Sequence, residues 1–318
     1  MRKRICLKIV IAIKDSNKIL TVCLITYNHN SYINKALDSI TFQKTDFDFD
    51  IIIADDFSTD GTRDEIRNFA RKESNTTLFL QSKNVGPAKN FIDLISRPKT
   101  KYISYLEGDD YWTDPSKLQK QINYLGANPD CSFCFTDCQV EIKGSLNELH
   151  PNFKMENQFT GIDFADQTGS IAQTCTWLVR SECIQNLPNW ITSSYTVDWC
   201  MQIHFSKFGM GGYIPENTSV YRIHDKGVWS KLNEFDAWRK NLCFYRTALG
   251  QFSLTDHQKR LRKRIVSTIK DALELANVTA DKKEIRYWLK ERLTVSPFDE
   301  FRQTIQSLLL LAKLRNTT

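Results

Sequence analysis

The stretch Tyr102-Ile-Ser-Tyr-Leu-Glu-Gly-Asp-Asp-Tyr-Trp112 joins an apolar run to a group of acidic residues. Its first five residues have the length and composition of a buried strand. Glu107, Asp109 and Asp110 follow, and Gly108 between them lets the backbone turn tightly without a Cβ clash. Because these carboxylates repel one another, we expect a local cation, and oxygen ligands favour Mg²⁺ or Mn²⁺ over zinc. The alternative is an acidic turn that leads into the next helix.

The chain on both sides of this stretch alternates short apolar runs with amphipathic segments. Strands are predicted over residues 20–26, 49–54, 78–81, 102–106 and 132–140, with helices at 32–42, 62–71, after Gly86-Pro87, and from Asp114-Pro115 to about 128. Thr62 and Glu65 match a capping box, and Asp114 is the predicted N-cap of the fourth helix. The alternation predicts an α/β fold with a doubly wound, mostly parallel sheet that carries helices on both faces.

The later part of the chain changes character twice. We predict a loop over residues 143–158, strands at 174–179 and 218–223, and helices at 181–187 and 197–208, where the Gly211-Gly212 pair ends the second helix. Beyond residue 230 only helices are expected, near 232–250, 255–276, 281–292 and 297–314. The predicted organisation is a basic lead-in (1–19), two halves of one domain (20–141 and 142–230) and a basic helical C-terminal region (231–318).

Composition and cysteine spacing argue against a membrane-spanning protein and against a zinc protein. With 41% hydrophobic and 25% charged residues the balance is that of a globular protein, and no apolar run reaches the roughly 20 residues that a membrane-spanning helix needs. Cys131, Cys134 and Cys138 fall on a predicted strand and fit no zinc pattern, so we expect reduced core thiols, with a metal or disulfide as the alternative. The nine cysteines and the lack of an export signal favour a cytoplasmic location.

The net charge of +6 is unevenly distributed. Residues 1–230 hold 25 Lys and Arg against 27 Asp and Glu, whereas residues 231–318 hold 18 against 10. One interpretation is that the C-terminal region docks on an anionic inner membrane leaflet, with charge from Lys259, Arg260, Arg262, Lys263 and Arg264 and an apolar contact from residues 308–311. The alternative is a helical cap with a solvated basic face, or a homodimer contact. Nucleic acid is a poor partner, because the basic residues are not interleaved with stacking aromatics.

The first two strands end in polar residues that are expected at the same sheet edge as Glu107. These are Thr26-Tyr27-Asn28 and Asp55-Asp56-Phe-Ser-Thr-Asp60-Gly-Thr62. A Tyr ring can stack on a nucleobase and an Asp can accept from a ring N–H; the alternative is that the Asp pair caps a helix and Tyr27 is core. No Gly-x-Gly-x-x-Gly follows the first strand and no Walker loop occurs, which argues against NAD and against a common NTPase.

Taken together, residues 20–140 resemble the nucleotide-binding half of a family 2 glycosyltransferase with the GT-A fold. The resemblance implies that Tyr27, within Thr26-Tyr27-Asn28, backs the nucleobase and that Asp55 or Asp56 binds it. Asn84-Val85-Gly86 with Asn90 resembles a segment that shapes the donor pocket. Glu107-Gly-Asp109 resembles the family's Asp-x-Asp metal motif, where Asp109 would bind Mn²⁺ or Mg²⁺ and a Glu replaces the first Asp.

The second half carries further marks of the resemblance. Thr196-Val-Asp198-Trp199 is similar to the motif that holds the family's catalytic base, which implies that role for Asp198; its alternative role is a helix N-terminal cap. Tyr221-Arg-Ile-His224 and Trp229 resemble a late segment in which a His meets the metal or diphosphate and a loop closes over the donor. The alternative for His224 is a structural histidine.

The resemblance implies an inverting, metal-dependent enzyme that moves a sugar from a nucleotide sugar, a UDP-sugar, to a hydroxyl of a saccharide or lipid-linked acceptor in bacterial surface polysaccharide or glycoconjugate synthesis. Residues 20–141 would bind the nucleotide sugar and 142–230 the acceptor. Such an enzyme would be cytoplasmic or peripheral on the inner membrane face. Two alternatives are a sugar nucleotidyltransferase, which is expected to carry a basic Gly-rich loop after the first strand, and a non-catalytic nucleotide- or sugar-binding protein.

Overall fold

The computed structural model describes residues 18–148, 158–166, 171–225, 227, 230 and 232–295. The chain divides into two compact units, one within residues 1–161 and 170–224 and the other within 162–169 and 225–318. Most of the predicted lead-in and the predicted helix at 297–314 lie outside the described residues.

One mixed sheet forms the frame of the first unit. Its strands are β1 (Leu20–Thr26), β2 (Phe49–Asp55), β3 (Thr76–Leu80), β4 (Tyr102–Glu107), β5 (Tyr111–Trp112), β6 (Cys131–Ile142), β7 (Ser145–Glu148), β8 (Gln158–Phe159), β9 (Leu178–Arg180) and β10 (Met210–Ile223). They lie in the order β3-β2-β1-β4-β9-β6-β10-β5, with β7 paired to β6 and β8 to β10. The predicted parallel arrangement is confirmed for β1 to β4, and the antiparallel β9 connects that group to the parallel pair of β6 and β10.

The helices of the first unit are α1 (Ile33–Thr41), α2 (Thr62–Lys72), α3 (Pro87–Ile95), α4 (Lys117–Ala127), α6 (Asn189–Thr192) and α7 (Val197–Phe205); α5 (Gly161–Ala165) lies almost wholly in the second unit. The first four follow the predicted pattern. In α1, for example, Ile33, Leu37 and Ile40 recur at helical spacing and are all buried. From β1 to β4 the chain therefore returns from each strand end to the next strand start through a helix.

Two predicted helix caps are wrong. Helix α2 begins after Gly61, whose φ of +102° suits glycine. The Oδ1 atom of Asp60, one residue earlier, accepts from both the backbone N–H and the hydroxyl of Thr62. Asp60, and not the predicted capping box, therefore provides the hydrogen-bond acceptor at the start of this helix. Helix α4 begins only at Lys117, and the Asp114 carboxylate instead accepts from the N–H of Ser116 in the preceding turn.

The second half differs from its sequence-based prediction in several places. Within the predicted loop, β7 forms a hairpin with β6. The predicted strand at 174–179 opens as a 3₁₀ turn, Thr174–Thr176, and the predicted helix at 181–187 is a short 3₁₀ helix, Ser181–Ile184. The Gly211-Gly212 pair lies inside β10. The Tyr124 ring packs on that strand, and a Cβ at Gly212 would come within 2.2 Å of Tyr124 Cε1, so a glycine fits this position.

Buried side chains from both faces of the sheet form the core of the first unit. Cys131 and Cys134 belong to this core, and Cys138 is also buried; all three are free thiols, as predicted. Burial raises the pKa of Cys134 to about 12, so this thiol stays protonated and behaves as a small apolar residue.

The second unit contains α8 (Glu234–Leu249), α9 (Thr255–Val278) and α10 (Lys282–Val295), which confirms three of the predicted C-terminal helices. A buried polar group joins two of them: the Arg239 guanidinium pairs with Glu284, whose Oε2 also accepts from the indole N–H of Trp288 at 3.1 Å. Among the helices of the described ranges, none is both long enough and apolar enough to cross a membrane.

Candidate functional site

The predicted site residues cluster where β1, β2 and β4 end, which we call the carboxyl edge. Thr26 is in register with Asp55, and Ile25 with Glu107. The three strand ends therefore lie side by side, as the sequence predicted for parallel neighbours.

Gly108 allows the closest packing at this edge. Its N–H donates to the carbonyl of Ile25 at 2.8 Å. A Cβ at this position would lie 2.8 Å from Thr26 Oγ1 and 2.9 Å from His29 Nδ1. Both of those polar atoms are buried without a hydrogen-bond partner. The glycine is therefore required by space, and it brings the acidic turn against the end of β1.

Two histidines flank the Asp109 carboxylate. Nε2 of His224 lies 3.0 Å from Oδ2 of Asp109, and Nε2 of His29 lies 3.6 Å from the same oxygen. Burial opposes ionisation of Asp109, but the hydrogen bond and charge of His224 and the charge of His29 outweigh it and hold the pKa below its usual value. Burial lowers the pKa of His29, against the pull of Asp109. The result is an ionised carboxylate beside two imidazoles.

The other two acidic residues of the turn have different environments. Glu107 accepts from the Thr174 hydroxyl at 2.6 Å through Oε1, whereas its Oε2 is buried without a partner. Burial raises the pKa of Glu107 well above its usual range, and the charges of Asp109 and Asp198 add to this shift. Asp110 accepts from the backbone N–H of Arg222 at 2.8 Å, so it anchors the end of β10 to the turn.

Asp198, the predicted base, lies half-buried in the first turn of α7. Burial raises its pKa to about 6, although the N–H of Trp199 opposes that shift. Its charge acts on Glu107, Tyr105 and Tyr221, which places it in the electrostatic neighbourhood of the acidic turn. The structure thus brings Asp198 together with a motif that lies about 90 residues earlier in the sequence.

The adjacent pair Asp55 and Asp56 takes two separate sets of partners. Asp55 is fully buried and is bound by the Arg63 guanidinium, by the Ser58 hydroxyl and, at 3.1 Å, by the Ser58 N–H. Asp56 accepts from the N–H groups of Val85 and Gly86 at 2.7 and 2.9 Å. Asp56 therefore ties the end of β2 to the predicted donor-pocket segment.

The remaining predicted residues divide into exposed and structural groups. Tyr27 is 44% exposed at the end of β1, which contradicts a core role, and Asn84 is exposed. Thr26 is buried, and Asn90 is a buried structural residue whose amide donates to the carbonyl of Ala54 at 3.3 Å. Gly86 has a φ of +90° and precedes α3, where it suits the turn. Trp229 lies outside the described residues.

Several residues at the carboxyl edge were not predicted from the sequence. His29 directly follows the Thr26-Tyr27-Asn28 motif, and a histidine next to a strand end was a signal that could have been used. Phe57 and Arg63 lie within or beside the second motif. Thr174 and Arg222 give no local signal, because their roles depend on tertiary contacts with Glu107 and Asp110.

Across the ranges that the structure describes, no three His, Cys, Asp or Glu side chains form a ready-made metal site. The residues present nevertheless fit a divalent ion whose other ligands come from a substrate. Asp109 and His224 offer a carboxylate and an imidazole in direct contact, and one or two protein ligands suffice where phosphates and water complete the coordination of Mg²⁺ or Mn²⁺. The unpartnered Glu107 Oε2 is a further oxygen on the same turn.

A separate groove lies at the opposite, amino-terminal edge of the sheet. It has a volume of about 660 Å³ and is lined by residues before or at the start of the first three strands, among them Lys18, Phe49 and Asn75. None of its lining residues belongs to the predicted motifs, so we assign the site to the carboxyl edge instead.

Sequence comparison gives two informative relatives. The chain is 32% identical over 214 residues to an uncharacterized protein of Mycobacterium tuberculosis, covering 66% of this chain. It spans only 60% of the length of that relative. It is also 30% identical over 233 residues to the putative teichuronic acid biosynthesis glycosyltransferase TuaG of Bacillus subtilis, covering 72% of this chain and 87% of TuaG.

Solved structures agree on the fold. TarS of S. aureus, in a complex with UDP-GlcNAc, superposes with a TM-score of 0.63 at 14% identity, covering 86% of this chain and 79% of that one. The mannosyltransferase PcManGT of Pyrobaculum calidifontis, in complex with GDP-Man and Mn²⁺, gives 0.60 at 16% identity, covering 95% and 88%. The predicted GT-A fold is therefore confirmed.

The family model for glycosyl transferase family 2 matches residues 21–187, which include the strand ends and the acidic turn described above. Together with the relationship to TuaG, this match confirms the resemblance that was seen in the motifs. The chain belongs to glycosyl transferase family 2.

Proposed function

We propose that the protein transfers a sugar from a UDP-sugar to a hydroxyl of a saccharide or lipid-linked saccharide, with inversion at the anomeric carbon. The observation that carries the proposal is the carboxyl edge, where His224 contacts Asp109 of the acidic turn and the charge of Asp198 acts on Glu107 of the same turn. The name of TuaG and the UDP-GlcNAc bound to TarS support a bacterial surface polysaccharide or glycoconjugate as the product and UDP as the carrier.

The nucleotide is proposed to bind along the ends of β1 and β2. Tyr27 offers an exposed ring to the base, and Asn28, Asp55, Asp56 and the Asn84–Gly86 segment surround it. Both carboxylates are buried, but Asp55 is paired with the Arg63 guanidinium whereas Asp56 accepts from backbone N–H groups, so Asp56 is the better candidate for the ring N–H of the base. Thr26 and Asn90 support this surface from below, as buried residues.

Asp109 and His224 would hold Mn²⁺ or Mg²⁺, and the Mn²⁺ in PcManGT supports a divalent ion in this fold. When bound, the ion would offset the charge of the diphosphate and act as a Lewis acid as the diphosphate departs. Glu107 is held by Thr174, and burial raises its pKa, so in its neutral form this side chain adds no charge to the site.

Asp198 is proposed as the general base. A carboxylate with a pKa of about 6 is ionised at neutral pH and is a stronger base than an exposed aspartate. It would take the proton of the acceptor hydroxyl while that oxygen attacks the anomeric carbon, and the bond to the diphosphate breaks on the opposite face. One such displacement inverts the anomeric centre, so an α-linked donor gives a β-linked product.

The test is a screen of nucleotide sugars for acceptor-dependent release of the nucleoside diphosphate, with and without Mn²⁺. We expect UDP release with at least one UDP-sugar, loss of that release in Asp198→Asn, and inverted anomeric configuration by NMR. Release of pyrophosphate from UTP and a sugar phosphate would instead indicate a nucleotidyltransferase. Nucleotide binding without turnover in any combination would indicate a binding protein.

Membrane docking of the C-terminal region also stays a proposal, in a narrower form. Arg260 and Arg264 both pair with Asp166 in the second unit, so they do not supply free charge as the sequence predicted. Lys259, Arg262 and Lys263 are exposed on α9, whereas residues 308–311 lie outside the described ranges. Flotation with anionic and neutral vesicles at low salt tests the docking, and light scattering tests the homodimer.

A further inference from the structure

Phe57 has a backbone conformation that bulky residues rarely adopt. Its φ is +69°, in the left-handed region, and the residue is 41% exposed directly after the Asp55-Asp56 pair. Asn28, at the end of the neighbouring strand β1, also has a positive φ, of +55°. Strained residues of this kind persist only where their surroundings hold them, and they concentrate at ligand sites.

A set of hydrogen bonds between the two strand ends holds these conformations. The N–H of Asn28 donates to the Ser58 hydroxyl at 2.8 Å, and the Asn28 side-chain oxygen accepts from the N–H of Thr59 at 2.9 Å. One residue further on each side, the N–H of Asn30 donates to Asp60 at 3.0 Å. Phe57 is therefore fixed between residues that are themselves bonded to the end of β1.

The surroundings of the Phe57 ring connect it to Asp55. The guanidinium carbon of Arg63 lies 5.0 Å from the ring centroid. That guanidinium also pairs with Asp55 and donates to the Gln81 carbonyl at 2.6 Å, so its position is fixed. Phe57 thus packs against a cation whose position is fixed and is nevertheless exposed, as is Tyr27 at the neighbouring strand end.

We propose that Phe57 is a stacking wall of the nucleobase subsite, which receives a planar base together with Tyr27. The inference rests on the proposed nucleotide-sugar donor and adds a residue to its recognition. An exposed aromatic ring gains binding free energy when a base covers it, and the fixed backbone means that no ordering of this loop opposes binding. The Arg63 guanidinium lies 5.0 Å from the ring centroid, and this cation–π contact helps to hold the ring in place.

The experiment measures the affinity of the purified full chain for UDP, UMP and pyrophosphate by calorimetry in the presence of Mn²⁺. The variants are Phe57→Ala and Phe57→Gly, which both lack the ring, and Phe57→Tyr, which keeps it. Phe42→Ala is the matched control, because Phe42 is 52% exposed at the far end of α1 and has an ordinary φ of −71°. Thermal unfolding of each variant is recorded in parallel.

We expect Phe57→Ala and Phe57→Gly to bind UDP and UMP about tenfold more weakly or worse, the order of one aromatic–base stack, and to bind pyrophosphate as the wild type does. Phe57→Gly should unfold at a higher temperature than Phe57→Ala, because glycine tolerates the left-handed backbone. Phe57→Tyr and Phe42→Ala should bind UDP normally. If the wild type binds UDP and both ring-free variants bind it within twofold of the wild-type affinity, the inference about Phe57 is overturned and the proposed function is not. A wild type that binds no nucleoside diphosphate would overturn the proposed function with it.

Discussion

Nε2 of His224 lies 3.0 Å from Oδ2 of Asp109, a contact between residues 115 positions apart in the chain. The next carboxylate, Asp110, accepts from the backbone N–H of Arg222, two residues before the histidine. Consecutive acidic residues therefore have different tasks: Asp110 fixes the end of β10, and that anchoring places the His224 imidazole on Asp109. Through Asp110, the acidic turn therefore fixes the position of the histidine that contacts Asp109.

Removal of the Asp109 carboxylate should abolish metal-dependent UDP binding. In Asp109→Ala, His224 loses its partner and a divalent ion loses its carboxylate ligand. We expect calorimetry to show no gain in UDP affinity when Mn²⁺ is added, whereas the wild type gains. Asp64→Ala is the control, because Asp64 is an exposed residue of α2 that pairs only with Arg67 on the same helix. A variant that kept the Mn²⁺-dependent gain would exclude Asp109 as a ligand.

Asp198→Asn should separate chemistry from binding. The amide keeps the shape of the side chain but cannot take a proton, so turnover should fall by about 10²-fold or more. The affinity for UDP should stay within about twofold, because Asp198 lies on α7 and not at the nucleotide-binding strand ends. Turnover and UDP affinity are measured on the same preparation. Undiminished turnover would assign the base to another group.

The elevated pKa of Asp198 predicts the acid limb of the activity profile. Burial raises this pKa from 3.8 to about 6, and the ionised form is the active base. The rate should therefore fall about tenfold per pH unit below pH 6 and become independent of pH above it. The profile of kcat/KM is the measurement, and the residual activity of Asp198→Asn should lack this limb. A wild-type profile that stayed flat down to pH 5 would contradict the assignment.

The parallel half of the fold could be predicted from the sequence because its signals are local. Apolar runs in β1, β2 and β4 and helical spacing in α1 each lie within a single segment. The predictions fail where contacts with other residues, and not the local sequence pattern, determine the structure. Gly211 and Gly212 resemble a helix breaker, but both lie inside β10, where the Tyr124 ring occupies the position that a Cβ at Gly212 would take. Asp60 replaces the predicted capping box because it can reach both polar groups of Thr62.

The candidate site was predictable to a similar extent. Asp109, His224 and Asp198 could be found because each lies in a recognisable motif, and parallel strand ends had to meet at one edge. The separate tasks of Asp55 and Asp56 could not be found, since they depend on Arg63 reaching back to β2 and on the turn at Val85. Likewise, a positive φ at a phenylalanine leaves no trace in the residue type, so Phe57 was missed.

The second unit offers a stability test that is independent of the active site. Arg239→Ala would leave the buried Glu284 carboxylate without its cation, with only the Trp288 N–H as a described partner. The Arg239 side chain is 29% exposed and that of Glu284 9%, so the loss should lie between the about 0–1 kcal/mol of an exposed pair, such as Arg67 with Asp64, and the about 3–5 kcal/mol of a fully buried pair. Urea unfolding should therefore show a large loss for Arg239→Ala and little change for Arg67→Ala. Equal effects would mean that the buried pair is not a structural contact.

An alanine at Gly108 should destabilise the protein and weaken UDP binding, whereas an alanine at Gly126 should stabilise it. In Gly108→Ala the new Cβ would press on Thr26 Oγ1 and His29 Nδ1 at 2.8 and 2.9 Å, and the neighbours belong to packed strand ends. Overpacking of this kind costs about 1–3 kcal/mol, and the shift of His29 should also weaken UDP binding in Mn²⁺.

Gly126→Ala is the matched control for that substitution, because Gly126 lies within α4 and a Cβ there meets no atom within 4 Å. Alanine in a helix should stabilise this variant by about 0.5–1 kcal/mol, with unchanged UDP affinity. If the carboxyl edge is packed as described, thermal unfolding should show a lower melting temperature for Gly108→Ala and a higher one for Gly126→Ala. Calorimetry should show weaker UDP binding for Gly108→Ala alone. A Gly108→Ala protein as stable as the wild type, with normal UDP affinity, would show that the acidic turn can move away from β1 without loss of binding.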